Sequence, residues 1–292
     1  MAWQGSMVAL VTPMQPGGQV DLAALSDLVA WHLSAGTDAL VVLGTTGEAS
    51  LLSTEEQQLI VEQTVQQVAG KIPVIVGAGC NNTANTVERV QRFRACGADA
   101  ALVVTPYYSK PTQAGLLAHY TAVAQASDLP IIVYNVPGRT GCDCAVETVQ
   151  ELQQLPTIVA IKEASGDLDR IRALLEKTTL SVLSGDDAST CEAMLAGAQG
   201  VISVTANVVP KDMHDLCKAA LAQQAEAAQA CNEKIAALHE VLFCESNPIP
   251  VKWALHRMGK IPLGIRLPLT TLSLAGQQQV QSVLDRLNLL EK

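Results

Sequence analysis

The strongest constraint on the fold is a regular alternation of short apolar runs with longer helical patterns. The runs are rich in Val, Ile and Leu and lack polar–apolar alternation, which is typical of strands covered on both faces. They predict strands at Met7–Thr12, Ala39–Leu43, Pro73–Gly77, Ala100–Thr105, Pro130–Asn135, Thr157–Lys162, Leu180–Ser184 and Gly200–Val204. Because every strand is followed by a helical pattern, the connections between strands are crossovers and the sheet is expected to be parallel.

Helix boundaries are marked by capping residues. Ser53 to Glu56 forms a capping box, after which Val61, Val65 and Val68 fall on one helix face. Further helix starts are predicted at Asp21, Thr83 and Thr112, and helix ends at Gly70, Gly97 and Gly197.

Eight strands alternating with helices predict an α/β fold, a closed TIM (β/α)8 barrel. An open doubly wound sheet is the alternative, and the count of eight without a central break favours the barrel. After about Pro210 the pattern is purely helical. The sequence therefore predicts a barrel at residues 1–210 and a C-terminal helical extension at residues 211–292 that packs on it.

Composition excludes several classes of function. The 292 residues carry a formal net charge of −9, which argues against a nucleic-acid partner. No signal-like segment and no run of about 18 apolar residues is visible, so no membrane partner is expected. The eight cysteines form no Cys-x-x-Cys pair. They are predicted to be free thiols of a cytoplasmic protein, and a zinc site built on Cys142 and Cys144 is disfavoured by their spacing.

Lys162 is the candidate nucleophile. The functional face of such a barrel is the carboxyl end of its strands, and of ten lysines only Lys162 is held there by a strand. Lys252, by contrast, is expected to be helical or peripheral. Burial disfavours the charged form of an amine, and a neutral amine attacks a carbonyl to give a Schiff base. A lysine that reaches water or pairs with a carboxylate is the alternative at this point.

Tyr134 ends the neighbouring predicted strand, where its phenol can lie beside the Lys162 amine as an acid and base. A purely structural tyrosine is the alternative, but the two residues together favour imine chemistry. Glu48 and Glu163 also lie near this face. Strand alternation points Glu163 away from Lys162, so both carboxylates are predicted to be structural.

Two further elements can bind carboxylates. The loop Gly44–Glu48, "GTTGE", offers two hydroxyls and turn amides, and Arg139 can hold a carboxylate through two hydrogen bonds or form a surface ion pair. Nucleotide binding is disfavoured, since "GAGCNN" at Gly77–Asn82 lacks a third glycine. Without a His-Glu-x-x-His motif a catalytic metal is not expected.

Seven motifs in order then give a family resemblance: "GTTGEAS", "TPYYSKPTQ", "YNVPGRTGCD", "VAIKEASGD", "VLSGDDAS", "GVISVTANV" and "ESNPIPVKWAL". From Gly5 to at least Leu269 the chain resembles the dihydrodipicolinate synthase family, within the N-acetylneuraminate lyase and class I pyruvate aldolase superfamily. The resemblance implies a lyase that condenses pyruvate with L-aspartate 4-semialdehyde in the diaminopimelate route to lysine. It further implies no cofactor and a homotetramer built from dimers.

The resemblance also implies individual roles. Lys162 matches the Schiff-base lysine and Tyr134 the general acid and base, while Thr45 and Tyr108 match its partners in a proton relay. In the family that second tyrosine reaches across a subunit interface. Substrate-binding positions are matched by Thr46, Ile202, Arg139 and Gly185, with Arg139 gripping the carboxylate of the semialdehyde.

Positions matching the family's lysine-inhibition site are Ala49, Ser50, Thr54, Gln57, Asn81, Asn85 and Tyr107. Asn85 stands where that site has a glutamate, so weak or absent feedback by lysine is expected. Rival functions remain. Another aldolase of the superfamily, acting on N-acetylneuraminate or 2-keto-3-deoxy sugar acids, would share the lysine and tyrosine, whereas Arg139 and Tyr108 favour a small carboxylate-bearing aldehyde. A non-catalytic barrel that binds keto acids is the remote alternative.

Overall fold

The eight predicted strands form one closed parallel barrel in a computed structural model that describes residues 3–290. The strands are β1 Gly5–Ala9, β2 Ala39–Val42, β3 Val74–Gly77, β4 Ala100–Val104, β5 Ile131–Asn135, β6 Ile158–Glu163, β7 Ser181–Ser184 and β8 Gly200–Ser203. Each strand pairs with the next along the chain, and β8 closes on β1. The TIM-barrel prediction is therefore confirmed.

Helices follow every strand. They are α1 Leu22–Ala35, α2 Thr54–Val68, α3 Thr83–Ala95, α4 Gln113–Gln125, α5 Pro137–Thr140, α6 Val146–Leu152, α7 Leu168–Lys177, α8 Thr190–Leu195, α9 Pro210–Leu221, α10 Ala225–Val241, α11 Ile249–Arg257 and α12 Leu274–Arg286. The capping box at Ser53 is present, as are the predicted caps at Asp21 and Thr112. Gly70, Gly97 and Gly197 all have positive φ just beyond helix ends, where glycine avoids a steric cost.

Two separate apolar clusters explain why the strands read as continuous apolar runs. Inward-facing residues such as Met7, Val41 and Ile132 fill the barrel, while Val8 and Leu40 face the layer of helices. Alternate residues of one strand belong to different clusters, so both faces of the strand are buried. The polar–apolar alternation of a half-exposed strand is therefore missing.

The first predicted strand is displaced. It was expected at Met7–Thr12 but begins at Gly5 and ends at Ala9. Residues 10–12 are buried too, so apolar character does not mark the strand end. The backbone leaves the barrel there, and the Val11 amide donates to the side chain of Asn207 at 3.1 Å.

The chain after β8 is helical, as expected. Helix α9 packs on β1 and takes the place of the eighth barrel helix, and α10, α11 and α12 follow it. The division into residues 1–210 and 211–292 stays a prediction. No helix within residues 3–290 combines the length and apolar character needed to span a bilayer.

Candidate active site

The site is built on the register between β5 and β6, which places Tyr134 directly beside Lys162. The Lys162 amine lies 4.4 Å from the centre of the Tyr134 ring. Only 6% of Lys162 and 7% of Tyr134 is exposed. Within residues 3–290 no carboxylate lies within 4.0 Å of the amine, so the alternative of a carboxylate-paired lysine does not describe it. A buried amine is instead held against an aromatic face, where a ring also attracts its charged form.

Glu163, the next residue, points to the opposite side of β6. Its carboxylate accepts from Arg170 Nε at 2.6 Å and from the Asn135 side-chain amide at 3.0 Å. Arg170 lies on α7, outside the barrel. The predicted structural role of Glu163 fits these contacts, because alternation along the strand separates the reactive amine from this ion pair.

Gly185 provides the space in which the lysine lies. A Cβ atom at Gly185 would come 2.7 Å from Lys162 Cε and 2.6 Å from the Cβ atom of Ala164. The Gly185 amide also donates to the Glu163 carbonyl at 2.7 Å, which fixes the backbone there. Gly185 therefore contacts the candidate nucleophile itself, a closer position than its predicted place near the substrate pocket.

A cavity of about 450 Å³ opens over the carboxyl ends of the strands. Its lining includes Tyr134, Thr45 and Arg139, so three predicted residues from separate segments meet there. Ile202 is buried in the barrel interior, in the same cluster as Tyr134. The cavity is of a size that suits a small ligand, and Tyr134, which lines it, lies beside Lys162.

The loop Gly44–Glu48, which we call the threonine loop, is a tight turn. The Gly47 amide donates to the Gly44 carbonyl and the Glu48 amide to the Thr45 carbonyl, both at 3.1 Å. Thr45 is exposed toward the cavity, whereas Thr46 is only 2% exposed. The two hydroxyls therefore have different surroundings, since Thr45 is open to the cavity and Thr46 is buried beside it.

Asn247 was not predicted as a site residue, yet it joins two that were. Its side-chain amide donates to the Thr46 hydroxyl at 3.0 Å, and its carbonyl accepts from Arg139 at 3.3 Å. Its own side-chain oxygen is buried without a hydrogen-bond partner within the described chain. Asn247 precedes α11 and does not end a strand, so the pattern of strand ends could not indicate it. The polar Asn247 within the "ESNPIP" motif was the one sign of it in the sequence.

Arg139 lies on the short helix α5 and lines the cavity. No carboxylate of residues 3–290 forms an ion pair with it. The alternative of a surface ion pair is therefore not what the structure shows. The guanidinium, anchored by the Asn247 carbonyl, can present its remaining donors to a carboxylate.

Tyr108 is not brought to Tyr134 by its own chain. It is 88% exposed and has a φ of 72°, a strained left-handed conformation for a tyrosine. Its neighbour Tyr107 is 37% exposed and does line the cavity. The predicted proton relay is therefore incomplete within one chain.

The candidate lysine-inhibition positions divide into two groups. Ala49, Ser50, Gln57 and Tyr107 line the cavity, whereas Thr54, Asn81 and Asn85 are exposed and do not. The Gln57 side-chain amide is already committed, because it donates to the Ala49 carbonyl at 3.0 Å and the Leu52 carbonyl at 3.2 Å. Its oxygen accepts from Arg92 at 3.3 Å.

Lys252 corrects an expectation. It lies on α11, but it is only 3% exposed and forms a buried ion pair with Glu48 of the threonine loop. Burial lowers the pKa of the Lys252 amine below its usual range, and the neighbouring Glu48 opposes that shift. The pair joins residues 204 apart in sequence, which no local pattern could indicate.

As for metals, no group of three or more His, Cys, Asp or Glu is placed to hold an ion in the part of the chain that the structure covers. The ionisable and hydroxyl side chains that line the cavity belong to Thr45, Ser50, Thr140, Ser246, Tyr107, Tyr134, Arg89, Arg139 and Glu48.

The contact between Gly185 and Lys162 leads to a test. Gly185→Ala places a methyl group against Lys162 Cε and should displace the amine, slowing formation of a pyruvate adduct by roughly 100-fold. Gly138→Ala is the matched control, since a Cβ there meets nothing within 4 Å. Adduct formation is followed by mass spectrometry after borohydride reduction. An unchanged rate in Gly185→Ala would show that the lysine does not depend on this space.

Comparisons with known proteins agree with this geometry. The family model of the dihydrodipicolinate synthetase family matches residues 2–287. A 4-hydroxy-tetrahydrodipicolinate synthase of Methylococcus capsulatus is 53% identical over 290 residues, covering 98% of this chain and 99% of that protein.

Solved structures are similar as well. A chloride-inhibited dihydrodipicolinate synthase from Acinetobacter baumannii, complexed with pyruvate, is 49% identical with a TM-score of 0.98, covering 99% of this chain and 100% of that one. The enzyme from Cyanidioschyzon merolae with lysine bound is 36% identical with a TM-score of 0.95, covering 99% of both chains. With sequence, fold and site in agreement, the chain belongs to the dihydrodipicolinate synthetase family.

Proposed function

We propose that the protein is a lyase that forms a carbon–carbon bond between pyruvate and L-aspartate 4-semialdehyde. The product is 4-hydroxy-tetrahydrodipicolinate, in the diaminopimelate route of lysine biosynthesis. The observation that carries the proposal is the buried Lys162 amine against the Tyr134 ring, with no carboxylate of residues 3–290 paired to it. Relatives about half identical over nearly the whole chain are named for this activity, and the Acinetobacter baumannii structure holds pyruvate.

The first half of the reaction activates pyruvate. The neutral Lys162 amine adds to the ketone carbon, and loss of one water leaves a protonated imine. This imine withdraws electrons, so a proton leaves the pyruvate methyl group and an enamine forms. Tyr134 is the group placed to carry these protons, since it is the ionisable side chain beside the amine in the register of β5 and β6.

The second half joins the substrates and releases the enzyme. The enamine carbon attacks the aldehyde carbon, and the aldehyde oxygen takes a proton to become the 4-hydroxyl. The amino group of the second substrate then attacks the imine carbon, and the Lys162 amine leaves as the ring closes. Over the whole cycle one water is released and no electrons are exchanged, so the chemistry needs no cofactor.

Substrate carboxylates have two candidate sites. Thr46 and the backbone near Ile202 are proposed to bind pyruvate close to Lys162. Arg139 is proposed to bind the carboxylate of the semialdehyde, since it is exposed to the cavity and has no ion-pair partner among residues 3–290. The cavity that Arg139 lines, about 450 Å³ in volume, is large enough for a small aldehyde.

A homo-oligomer, a tetramer built as a dimer of dimers, is part of the proposal. Thr45 and Tyr108 are proposed to complete the proton relay of Tyr134, with Tyr108 supplied by a second copy. What supports this is the 88% exposure of Tyr108 and its strained backbone, since strain at a non-glycine residue is concentrated at functional positions.

A cytoplasmic location and a barrel with a C-terminal extension are also proposed. A cytoplasmic location fits eight cysteines that are all free. A barrel at residues 1–210 with an extension at residues 211–292 would mean that the extension supplies Asn247 and Lys252 to the site.

The activity is tested with pyruvate and L-aspartate 4-semialdehyde in a coupled assay, beside Arg139→Ala and Arg139→Lys. Because a charged hydrogen bond would be lost, Arg139→Ala should weaken use of the semialdehyde by about 10- to 100-fold without impairing the pyruvate adduct. Arg139→Lys should fall between, since a lysine keeps the charge but not the paired geometry. Higher activity of the wild type on N-acetylneuraminate than on the semialdehyde would contradict the proposal.

Feedback by lysine is expected to be weak or absent. Asn85 cannot supply a carboxylate to an ammonium group, and the Gln57 amide is already bonded within the chain. Half-inhibition of the wild type should require more than about 1 mM lysine, the range of weak binding, and Asn85→Glu should lower that concentration. Half-inhibition of the wild type at sub-millimolar lysine would show that other groups bind the ammonium.

A further inference from the structure

The ion pair between Glu48 and Lys252 is the most deeply buried one in the part of the chain that the structure describes. The side chains are 0% and 4% exposed. Neither group takes part in the proposed chemistry. Burying two charges is costly, and a buried pair is often no more stabilising than apolar residues of the same size. Stability alone is therefore a weak reason for this pair.

The side chain of Glu48 is held by two contacts, and its backbone is in an uncommon conformation. One carboxylate oxygen contacts the Lys252 amine, and the other accepts from the Arg266 backbone amide at 3.2 Å. Its own backbone has a φ of 55° and a ψ of 32°, a left-handed conformation that is costly outside glycine. The surrounding contacts therefore hold this residue in a conformation it would not adopt alone.

The restraint on Glu48 reaches the proposed proton relay through the backbone. The Glu48 amide donates to the Thr45 carbonyl at 3.1 Å, so any shift of Glu48 moves Thr45 directly. The neighbouring Thr46 is held from the same side, because Asn247 donates to its hydroxyl at 3.0 Å. The segment from Asn247 to Lys252 thus contacts the threonine loop at two positions, Thr46 and Glu48.

That segment also contacts Arg139, whose guanidinium donates to the Asn247 carbonyl at 3.3 Å. Residues 247–252, which lie outside the barrel strands, therefore contact both the loop of the proposed relay and the proposed carboxylate-binding arginine.

We propose that Glu48 and Lys252 are a positioning pair, which holds the threonine loop so that Thr45 faces Tyr134 across the cavity. The inference rests on the proposed function, because it assigns a role in that reaction. Neither residue touches a reacting atom; both act through Thr45, while Thr46 is held separately by Asn247.

Lys252→Met removes the amine and keeps most of the side-chain length. Because the loop would shift while Lys162 and Tyr134 stay in place, kcat should fall about tenfold or more, with KM for pyruvate within about threefold. The pyruvate adduct trapped by borohydride should still form to the wild-type extent. Lys234→Met is the control, since Lys234 pairs with Asp212 at the surface, between α9 and α10. Its kcat should match the wild type.

The double variant Glu48→Gln with Lys252→Met distinguishes two effects of the single variant. One is the loss of loop positioning, and the other is the destabilisation caused by a buried carboxylate without its partner. If the pair positions the loop, the double variant regains the melting temperature of the wild type more fully than its kcat. Restoration of kcat to within twofold of wild type in the double variant would overturn the proposal. So would a kcat within twofold of wild type in Lys252→Met.

If Lys252→Met does not fold, Glu48→Gln takes its place under the same criteria, because glutamine keeps the volume and an acceptor for the Arg266 amide. Failure of the proposed function has a different signature. In that case the wild type does not turn over the semialdehyde, whereas failure of this inference leaves the wild type active, with a kcat within twofold of wild type in Lys252→Met or in the double variant.

Discussion

The site depends on one neighbouring pair of residues, the Lys162 amine and the Tyr134 ring. Parallel pairing of β5 and β6 sets them side by side, and alternation along β6 sends Lys162 inward and Glu163 outward. Outward, Glu163 forms an ion pair with Arg170; inward, Lys162 forms no ion pair with any carboxylate in the described part of the chain. This asymmetry across one strand makes Lys162 a candidate nucleophile, because its amine is buried beside Tyr134 rather than bound to a carboxylate.

Much of the fold could be predicted from the sequence. Closed barrels bury both faces of each strand, and the apolar runs report that burial directly, as the two clusters around Met7 and Val8 show. Lys162 and Tyr134 were found because both stand at strand ends, where chain position alone places them at the functional face. The end of β1 was misplaced, since residues 10–12 stay buried after leaving the sheet.

The rest of the site could not be predicted in this way. Asn247 and Lys252 meet the threonine loop from more than 200 residues away, and no periodicity or capping signal encodes such a contact. Lys252 even carries a misleading pattern, because its helix looks peripheral while its amine is buried. Gly185 was placed near the pocket by family likeness, but only the packing of Lys162 Cε against it gives the physical reason for a glycine. The barrel thus supplies the candidate reacting pair, and residues of the helical chain beyond it contact the surrounding loop.

The most direct measurement locates the covalent link. The protein is incubated with pyruvate, reduced with borohydride, digested, and the modified peptide is identified by mass spectrometry. We predict one reduced pyruvate adduct per chain, on the peptide that contains Lys162, and none in Lys162→Ala. An adduct on a peptide that lacks residue 162, or equal labelling of Lys162→Ala, would contradict the central claim.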